Sequence, residues 1–406
     1  MAIVALIGTM DTKGEEYAWL QEKLEAHGVH TTRIDVGPMS TAEADYTPDA
    51  VAEAAGADLN QLIAANDRGA AMQTMAEGAA RIVTSLYEQG QLNGALAVGG
   101  SGGSSVAAFA MQALPVGVPK LLVSTMASGD VSPYVGESDI TLMYSVVDVA
   151  GINSVSEQVF GNAVAATAAM ATAHEARSTA PAGDHKPLIG LSMFGLTTPA
   201  VDEARKELLE LGYEPLVFHA TGSGGRAMEK LAGDGALAGT LDLTTTELAD
   251  DLVGGVLSAG PHRLEAAGKA GIPQVVSLGA LDMVNFGPRE LVPGVFDDRT
   301  FVVHNATVTL MRTTPEENSE LGKRIAAKLA AATGPTTLII PLHGLSGIDI
   351  EGAPFHDVDA DQALFTAVKE GLKGSAVEII EVDSDINAPG LGRDAAQRLH
   401  AMISEQ

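Results

Sequence analysis

Cysteine is absent from this 406-residue chain, and basic residues, aromatic residues and long apolar runs are all scarce. The absence of cysteine excludes disulfides, thiolate zinc sites and cysteine nucleophiles. Lysine and arginine total 24 against 52 aspartates and glutamates, so the formal net charge is −28. A field of this sign repels phosphate backbones and anionic membranes, which disfavours nucleic-acid binding through a basic surface. An anionic ligand would need a locally positive pocket.

No apolar run is long enough to span a membrane, and no secretory n-region or h-region precedes Gly8. We therefore expect a cytoplasmic protein with no membrane and no nucleic-acid partner. Aromatic residues make up only 4% of the chain, whereas 45 residues are glycine. Small residues let helices pack closely on a sheet, so this composition favours α/β layers.

Short apolar runs typical of buried strands alternate with helical patterns along the whole chain. Examples are AIVALIG, LNGALAVGG and PKLLVSTM in the first half, and PLIGLSMFG, TFVVHNATVTL and TTLIIPLHG in the second. This alternation predicts an α/β fold of two Rossmann-like domains, each a mostly parallel sheet flanked by helices, with a cleft between them. The predicted domains cover residues 1–180 and 187–406.

The segment TAHEARSTAPAGDHKP interrupts this alternation. It predicts an interdomain linker, because it contains Ser178, Thr179, Pro181, Gly183 and Asp184. The halves on either side also echo each other, since GVPKLLVST in the first resembles GIPQVVSLG in the second. Either a weak internal duplication or the common packing needs of βα units explains the echo.

One helix start is predicted in detail from RTTPEEN, residues 312–318. Thr314 is expected as the N-cap, Pro315 as the first helical residue and Glu317 as the third, which is the pattern of a capping box. The preceding HNATVTLMRT is then a strand or loop that brings Arg312 to the start of a helix.

GTMDTKG, residues 8–14, follows the first predicted strand and precedes a helix. Its spacing matches neither the Walker loop nor the dinucleotide-binding fingerprint. Its hydroxyls, its lysine and the backbone N–H groups at a helix start are nevertheless the components of a phosphate site. The alternative is that Asp11 or Thr12 only caps the helix, which leaves Lys13 unexplained. The candidate nucleotide-binding residues here are Gly8, Thr9, Met10, Asp11, Thr12 and Lys13.

VGGSGGSS, residues 98–105, follows another strand. Its glycines permit close backbone approach, and successive N–H groups can line an anion-binding nest, although a flexible turn before an alanine-rich helix is the simpler alternative. STMASGDVSPYVGESD, residues 124–139, follows the next strand. Because ligands bind beyond the carboxyl ends of parallel strands, we expect the three loops to form one site. The additional candidates are Gly99, Gly100, Ser101, Gly102, Gly103, Ser104, Thr125, Ser128 and Gly129.

FHATGSGGRAME, residues 218–229, places a histidine at a strand end before a glycine-rich helix start. We interpret it as a second anion cradle with an acid/base beside it. The candidate substrate-binding residues are Thr221, Gly222, Ser223, Gly224 and Gly225. The candidate catalytic residues are His219, Arg226, Arg312 and His343. His304 is expected with His219 and His343 on one rim, at the carboxyl ends of the strands.

Two further kinds of site are disfavoured. The histidines lack a fixed metal-ligand spacing, so direct metal ligation by them is not expected. HGLSG, residues 343–347, is not the Gly-x-Ser-x-Gly nucleophile elbow, which argues against a serine hydrolase.

Long motifs spread over nearly the whole chain resemble those of one family. They include GTMDTKGEE, GGSGGS, GVPKLLVST, SVVDVAGIN, MFGLTTPAV, FHATGSGGRAME, DLTTTEL and HNATVTLMRTTPEE. The chain resembles the ATP-binding-domain family typified by the amino-terminal half of the tomato mosaic virus resistance protein. The resemblance implies two Rossmann-like subdomains, ATP binding and self-association into dimers. It also implies a separate barrel-domain partner protein, because some relatives are fused to such a domain or encoded beside it.

The leading hypothesis that follows is an ATP-binding protein acting on a small acidic metabolite in the interdomain cleft. Lys13 and backbone N–H groups would neutralise phosphate, and Asp11 would position Lys13 or a hydrated Mg²⁺. One alternative is an ATP-independent lyase or isomerase of a phosphorylated or carboxylated metabolite, with His219 or His343 as the acid/base. The other is a binding module that senses a nucleotide. Whether ATP is hydrolysed or only bound stays open at this point.

Overall fold

Residues 1–179 and 185–405 are described by a computed structural model. The chain divides into two compact units, Met1–Gly183 and Asp184–Gln406. Each unit contains a parallel sheet with helices on its faces, so the predicted α/β class with two Rossmann-like domains is confirmed.

The sheet of unit 1 has five parallel strands in the order β2-β1-β3-β4-β5. Helices cover both of its faces, which explains why its central strands are continuously apolar rather than alternating. The strands are β1 (Ile3–Gly8), β2 (His30–Asp35), β3 (Gly94–Gly99), β4 (Lys120–Ser124) and β5 (Thr141–Tyr144). The helices are α1 (Met10–Ala26), α2 (Pro48–Ala54), α3 (Leu59–Ala65), α4 (Arg68–Glu88), α5 (Ser101–Gln112), α6 (Ser132–Val135) and α7 (Ser154–Thr179).

The main sheet of unit 2 has six parallel strands in the order β14-β13-β9-β8-β6-β7. A separate three-stranded antiparallel sheet has the order β10-β12-β11. The parallel strands are β6 (Leu188–Met193), β7 (Glu214–His219), β8 (Gly239–Asp242), β9 (Gln274–Ser277), β13 (Thr336–Pro341) and β14 (Glu378–Val382). The antiparallel strands are β10 (Met283–Phe286), β11 (Phe301–Asn305) and β12 (Val308–Arg312).

Seven α-helices and three 3-10 turns surround these sheets in the described part of unit 2. The helices are α8 (Thr198–Glu210), α9 (Ser223–Gly233), α10 (Glu247–Val253), α11 (Ala266–Ala270), α12 (Pro315–Ala330), α13 (Val358–Gly371) and α14 (Leu391–Ser404). The 3-10 turns are Gly195–Thr197, Arg289–Leu291 and Gly294–Phe296. The predicted capping box is present at α12, where Glu317 N donates to Thr314 Oγ1 (3.1 Å) and Thr314 N donates to Glu317 Oε2 (2.8 Å).

The antiparallel sheet corrects one detail of the sequence prediction. TFVVHNATVTL was interpreted as one strand of the second parallel sheet, but it folds into the hairpin of β11 and β12. Asn305 makes the reversal, because its Oδ1 accepts hydrogen bonds from Thr307 N (2.8 Å) and Thr307 Oγ1 (2.9 Å). Such an Asx turn competes with continued strand pairing.

The predicted linker is shorter than expected on its amino-terminal side. α7 continues to Thr179, so Ser178 and Thr179 are helical, and their hydroxyls bond back to the carbonyls of His174 and Glu175. Pro181, Gly183 and Asp184 lie outside the described residues. Among the residues that are described, no helix combines the length and the apolar character needed to cross a bilayer.

The first three strands of each parallel sheet have the same spatial order. In each, the second strand lies outside the first, and the third lies on the opposite side of the first. This shared order agrees with the sequence echo between the halves. It also places a point of reversal in each sheet, between β1 and β3 in unit 1 and between β6 and β8 in unit 2.

Candidate functional site

The reversal of strand order in unit 1 creates a crevice at the carboxyl ends of β1 and β3. The helix after β1 packs on one face of the sheet and the helix after β3 packs on the other. Ligands of open parallel sheets bind at such a point, where the two helices diverge. A cavity of about 480 Å³ lies there, a volume in the range of small-molecule sites.

Most residues of the first two predicted loops line this cavity. The predicted residues on its wall are Thr9, Asp11, Thr12, Lys13, Gly100, Ser101, Gly102 and Gly103. Six residues that the sequence analysis did not select complete the lining, and they are Val36, Pro38, Arg68, Ala71, Met72 and Val106. The cavity therefore has one polar wall of helix starts and one largely apolar wall.

The first wall element is the start of α1, which the sequence analysis predicted as a loop. Thr9 follows β1, and its side chain caps no backbone N–H. A single helical turn begins at Met10, and the non-helical backbone of Lys13 makes a kink between this turn and the rest of α1. Beyond the kink, the buried hydroxyl of Tyr17 donates to Ile7 O (2.5 Å) and accepts from Val98 N (3.0 Å). A Cβ on Gly8 would lie 1.9 Å from the Tyr17 ring. Gly8 is thus needed for packing, and Tyr17 joins the carboxyl ends of β1 and β3.

The second wall element is the start of α5, also predicted as a loop. The helix begins at Ser101 with Gly100 as a cap that has no side chain to offer. A Cβ on Gly103 would lie 3.7 Å from Thr9 Oγ1, so the starts of α1 and α5 lie close together. Ser104 points away from the cavity, because its hydroxyl bonds to Gly99 O (3.2 Å) and Ser124 Oγ (2.7 Å).

Two cations face these helix starts, Lys13 of α1 and Arg68, the first residue of α4. Neither side chain forms an ion pair or a hydrogen bond with any residue that the structure describes. Uncapped helix starts carry partial positive charge and free N–H groups. The uncapped start of α5 and two unpaired cations against one lining carboxylate give a positive pocket in a strongly acidic chain. This arrangement is suited to binding a multiply charged anion.

The lining carboxylate, Asp11, does not hold Lys13 as the sequence analysis expected. The two side chains form no ion pair, and the Asp11 carboxylate lies against Gly37, where a Cβ would be 2.6 Å from Oδ1. Nearby, the buried Asp35 at the end of β2 accepts from Met10 N (3.1 Å) and Gly37 N (2.9 Å). Burial raises the pKa of Asp35, while these hydrogen bonds oppose the rise. Asp35 therefore fixes the first turn of α1 relative to β2.

The third predicted loop is adjacent to the cavity but does not line it. β4 neighbours β3, and Thr125 N donates to Gly99 O (3.2 Å). Thr125 Oγ1 would lie 3.9 Å from a Cβ on Gly100. Ser128 and Gly129 are absent from the cavity wall.

In unit 2 the predicted anion cradle, at the start of α9, is occupied by a carboxylate of the same chain. Glu247 Oε1 accepts hydrogen bonds from Gly222 N (2.7 Å) and Gly225 N (3.1 Å) at the start of α9. A Cβ on Gly225 would lie 2.1 Å from Glu247 Oε2, and one on Gly224 would lie 1.9 Å from His219 O. These glycines are therefore explained by internal packing, and the two N–H groups are not available to a ligand.

Glu247 belongs to a buried ion cluster around Arg263, a residue that the sequence analysis did not select. The guanidinium donates to both oxygens of Asp242 (2.5 and 2.7 Å), to Glu247 Oε2 (2.7 Å) and to Glu229 Oε1 (3.1 Å). Burial raises the pKa of Glu247, although Arg263 and the Gly222 N–H lower it. The guanidinium is bonded to three carboxylates at the carboxyl end of β8, so its positive charge is used within the fold.

The four candidate catalytic residues do not form one cluster. His219 ends β7 with its ring 5.5 Å from that of Phe194, and Arg226 donates to Ser258 O (3.2 Å). His343 follows β13, four strand positions from β7 or roughly 19 Å, and its Nε2 lies 2.6 Å from Asp383 Oδ1. Arg312 is buried and bonded to Asp361 Oδ1 (2.7 Å).

The three histidines predicted to lie on one rim do not all belong to the same sheet. His304 lies on β11 of the antiparallel sheet, whereas His219 and His343 follow strands of the parallel sheet. Within residues 1–179 and 185–405, no group of three or more histidine, aspartate or glutamate side chains is arranged to hold a metal ion.

Comparison with known proteins shows the family to which this chain belongs. The models of the Uncharacterised protein family (UPF0261) match the chain over residues 2–176 for its N-terminal domain and 186–403 for its C-terminal domain. The chain belongs to the UPF0261 family. The matches cover the parallel-sheet units one by one.

Relatives from bacteria and from a plant extend this result. A UPF0261 protein of Clostridium tetani is 49% identical over 99% of both chains, and one of Mesorhizobium japonicum is 43% identical over 98% of both. The ToMV resistance protein Tm-1(GCR237) of Solanum lycopersicum is 39% identical over 89% of this chain. The match covers only 50% of that tomato protein. The family part of the resemblance seen in the sequence is thereby confirmed.

Proposed function

We propose that this UPF0261 protein binds a nucleotide, ATP in the first instance, with its phosphates at the starts of α1 and α5. The observation that carries the proposal is the convergence of Lys13 and Arg68, both unpaired among the described residues, on the starts of α1 and α5, of which the start of α5 is uncapped. Helix starts supply N–H donors and a favourable dipole for phosphate, and the cations neutralise its charge. The position at the strand-order reversal supports a ligand site rather than a structural ion cluster.

Mg²⁺ is proposed to accompany the nucleotide. Asp11 is the carboxylate on the described cavity wall. Mg²⁺ usually keeps several waters and is held by substrate phosphates together with one or two carboxylates, so a single carboxylate fits this ion.

Calorimetric titration of the full chain with ATP, with and without Mg²⁺, tests the proposal. Lys13→Ala and Arg68→Ala are each expected to weaken binding by about tenfold or more, because charge-assisted hydrogen bonds contribute about 1.5–3 kcal/mol. Lys206→Ala is the matched control, since Lys206 is an exposed cation of α8 in unit 2, and it should bind ATP like the unaltered chain.

Absence of ATP binding by the unaltered chain would contradict the nucleotide proposal. Binding of a phosphorylated or carboxylated metabolite instead would favour the ATP-independent lyase or isomerase. ATP binding that survives both substitutions would contradict the location of the site.

Catalysis on a small acidic metabolite stays a prediction. The glycine-rich start of α9 is occupied by Glu247, so a metabolite would need other groups of unit 2, among which His219 and His343 are exposed. Release of inorganic phosphate from ATP, followed in the unaltered chain, separates an enzyme from a nucleotide-sensing module. The dimer and the barrel-domain partner are proposed on the resemblance alone, and the cytoplasmic location is proposed on the sequence features given above.

A further inference from the structure

A second cavity lies beside the proposed phosphate site, between α4 and α5. Its volume is about 280 Å³. Met72 of α4 and Val106 of α5 line both cavities. The cavities therefore adjoin at these two side chains, with the helix starts on one side of them and Phe109 on the other.

The Phe109 end of these adjoining cavities has an aromatic and apolar character. Phe109 is 41% exposed although it is a large hydrophobic side chain. Met72, Ala76 and Pro133 lie in the same cavity wall. A planar ring placed on Phe109 would bury apolar surface and gain an offset or edge contact between rings.

Two glutamine side chains add polar specificity to this end. Gln112 Nε2 donates to Pro133 O (3.1 Å) and Tyr134 O (2.9 Å), and Gln73 Nε2 donates to Glu77 Oε1 (2.8 Å). Since carbonyl and carboxylate oxygens accept only, these contacts fix which amide atom is nitrogen. In the part of the chain that is described, the Oε1 atoms of both glutamines accept no hydrogen bond. Two acceptors beside an aromatic ring suit a base that carries an exocyclic amino group.

The distance from the helix start to Phe109 fits a nucleotide. Phe109 follows Gly103 by six residues, which is about 9 Å along the axis of α5. Phosphates at the helix start and a base at Phe109 are therefore joined by one helix over a distance that a nucleoside spans.

We propose, resting on the proposed function, that the α4/α5 groove binds the base of the nucleotide, stacked on Phe109, and prefers a base with an exocyclic amino group. The groove is defined by Gly69, Met72, Gln73, Val106, Phe109 and Gln112. These residues all belong to unit 1. The phosphate site and the base site therefore contribute separately to affinity.

Calorimetry on the full chain with three ligands separates these contributions. The ligands are ATP, inosine triphosphate, which has a carbonyl in place of the amino group, and inorganic tripolyphosphate, which has no base. ATP is expected to bind most tightly and tripolyphosphate least. Phe109→Ala should weaken ATP binding about 5- to 100-fold, the range for loss of one base–aromatic stack, and leave tripolyphosphate binding unchanged.

Two further variants keep the test decisive. Phe109→Leu retains an apolar side chain without a ring and should also weaken ATP binding selectively. Ile63→Ala removes another partly exposed apolar side chain of unit 1, on α3 and outside both cavities, and should bind ATP normally.

Equal binding of ATP and tripolyphosphate by the unaltered chain would overturn the base subsite alone and leave the phosphate site standing. Equal weakening of both ligands by Phe109→Ala would overturn it too. Failure of all three ligands to bind would overturn the proposed function and the subsite together. Equal affinity for ATP and inosine triphosphate would overturn the preference for an amino group.

Discussion

At the scale of single residues, the pairing of cations differs between the two units. Arg263 and Arg312 of unit 2 are buried and bonded to carboxylates, so their charge is used within the fold. Lys13 and Arg68 of unit 1 have no such partner among the described residues and lie at a cavity. In a chain with a net charge of −28, a carboxylate partner is easily supplied. Cations left unpaired at the cavity beside the uncapped start of α5 therefore favour an external anion.

The buried carboxylates around Arg312 give a prediction about pH. Burial and the neighbouring Asp282 and Asp361 raise the pKa of Asp349 to about 9, against the opposing charge of Arg312. Between pH 4 and 9 the folded chain thus holds a proton that the unfolded chain releases. The free energy of unfolding should therefore fall as the pH rises through this window.

Denaturant titrations at pH 5, 7 and 9 check this prediction. Asp349→Asn, which stays neutral, should flatten the decline, whereas Asp202→Asn on the exposed face of α8 should leave it unchanged. An unchanged decline in the Asp349→Asn variant would show that another group is responsible.

At the scale of elements, Gly225 of α9 is required by the contact with Glu247 rather than by flexibility. Alanine normally favours a helix over glycine by up to about 1 kcal/mol. At position 225, however, its Cβ would lie 2.1 Å from the Glu247 carboxylate. Gly233 of the same helix has nothing within 4 Å of the corresponding position.

These two sites form a matched pair for substitution. Gly225→Ala is expected to lower the free energy of unfolding by about 1–3 kcal/mol, because overpacking displaces a buried hydrogen-bonded charge. Gly233→Ala should be neutral or slightly stabilising. Urea titration measures both, and equal effects at the two sites would argue against the close contact with Glu247.

Local patterns were sufficient to predict the α/β class, the run of parallel strands and the capping box at Thr314. The loop predicted at residues 98–105 was too long, because its glycines and serines were interpreted as loop where α5 begins at Ser101. Arg68 was missed because it starts α4 and follows no strand, so only the folded chain brings it to the cavity. Glu247 was likewise unpredictable as the occupant of the α9 start, since the two are joined only by tertiary packing.

At the scale of the whole molecule, the two units share the order of their first three strands but differ in what lies where the strand order reverses. In unit 1 the point between β1 and β3 opens on a cavity with free cations. In unit 2 the carboxyl ends of β6 and β8 are filled by buried hydroxyls and acids, with Ser192 Oγ donating to Asp242 Oδ1 (2.5 Å). One fold pattern therefore serves ligand binding in our account of unit 1 and internal stabilisation in unit 2.

Amide hydrogen exchange of the full chain, with and without saturating ATP and Mg²⁺, tests this account most directly. We predict slower exchange in the nucleotide-bound chain at Asp11 and at residues 101–103, because the N–H groups of these residues have no acceptor among the described residues and phosphate would accept from them. Exchange at residues 221–226 should not change, since Glu247 already holds Gly222 N and Gly225 N. Protection at residues 221–226 with none at the starts of α1 and α5 would contradict the account.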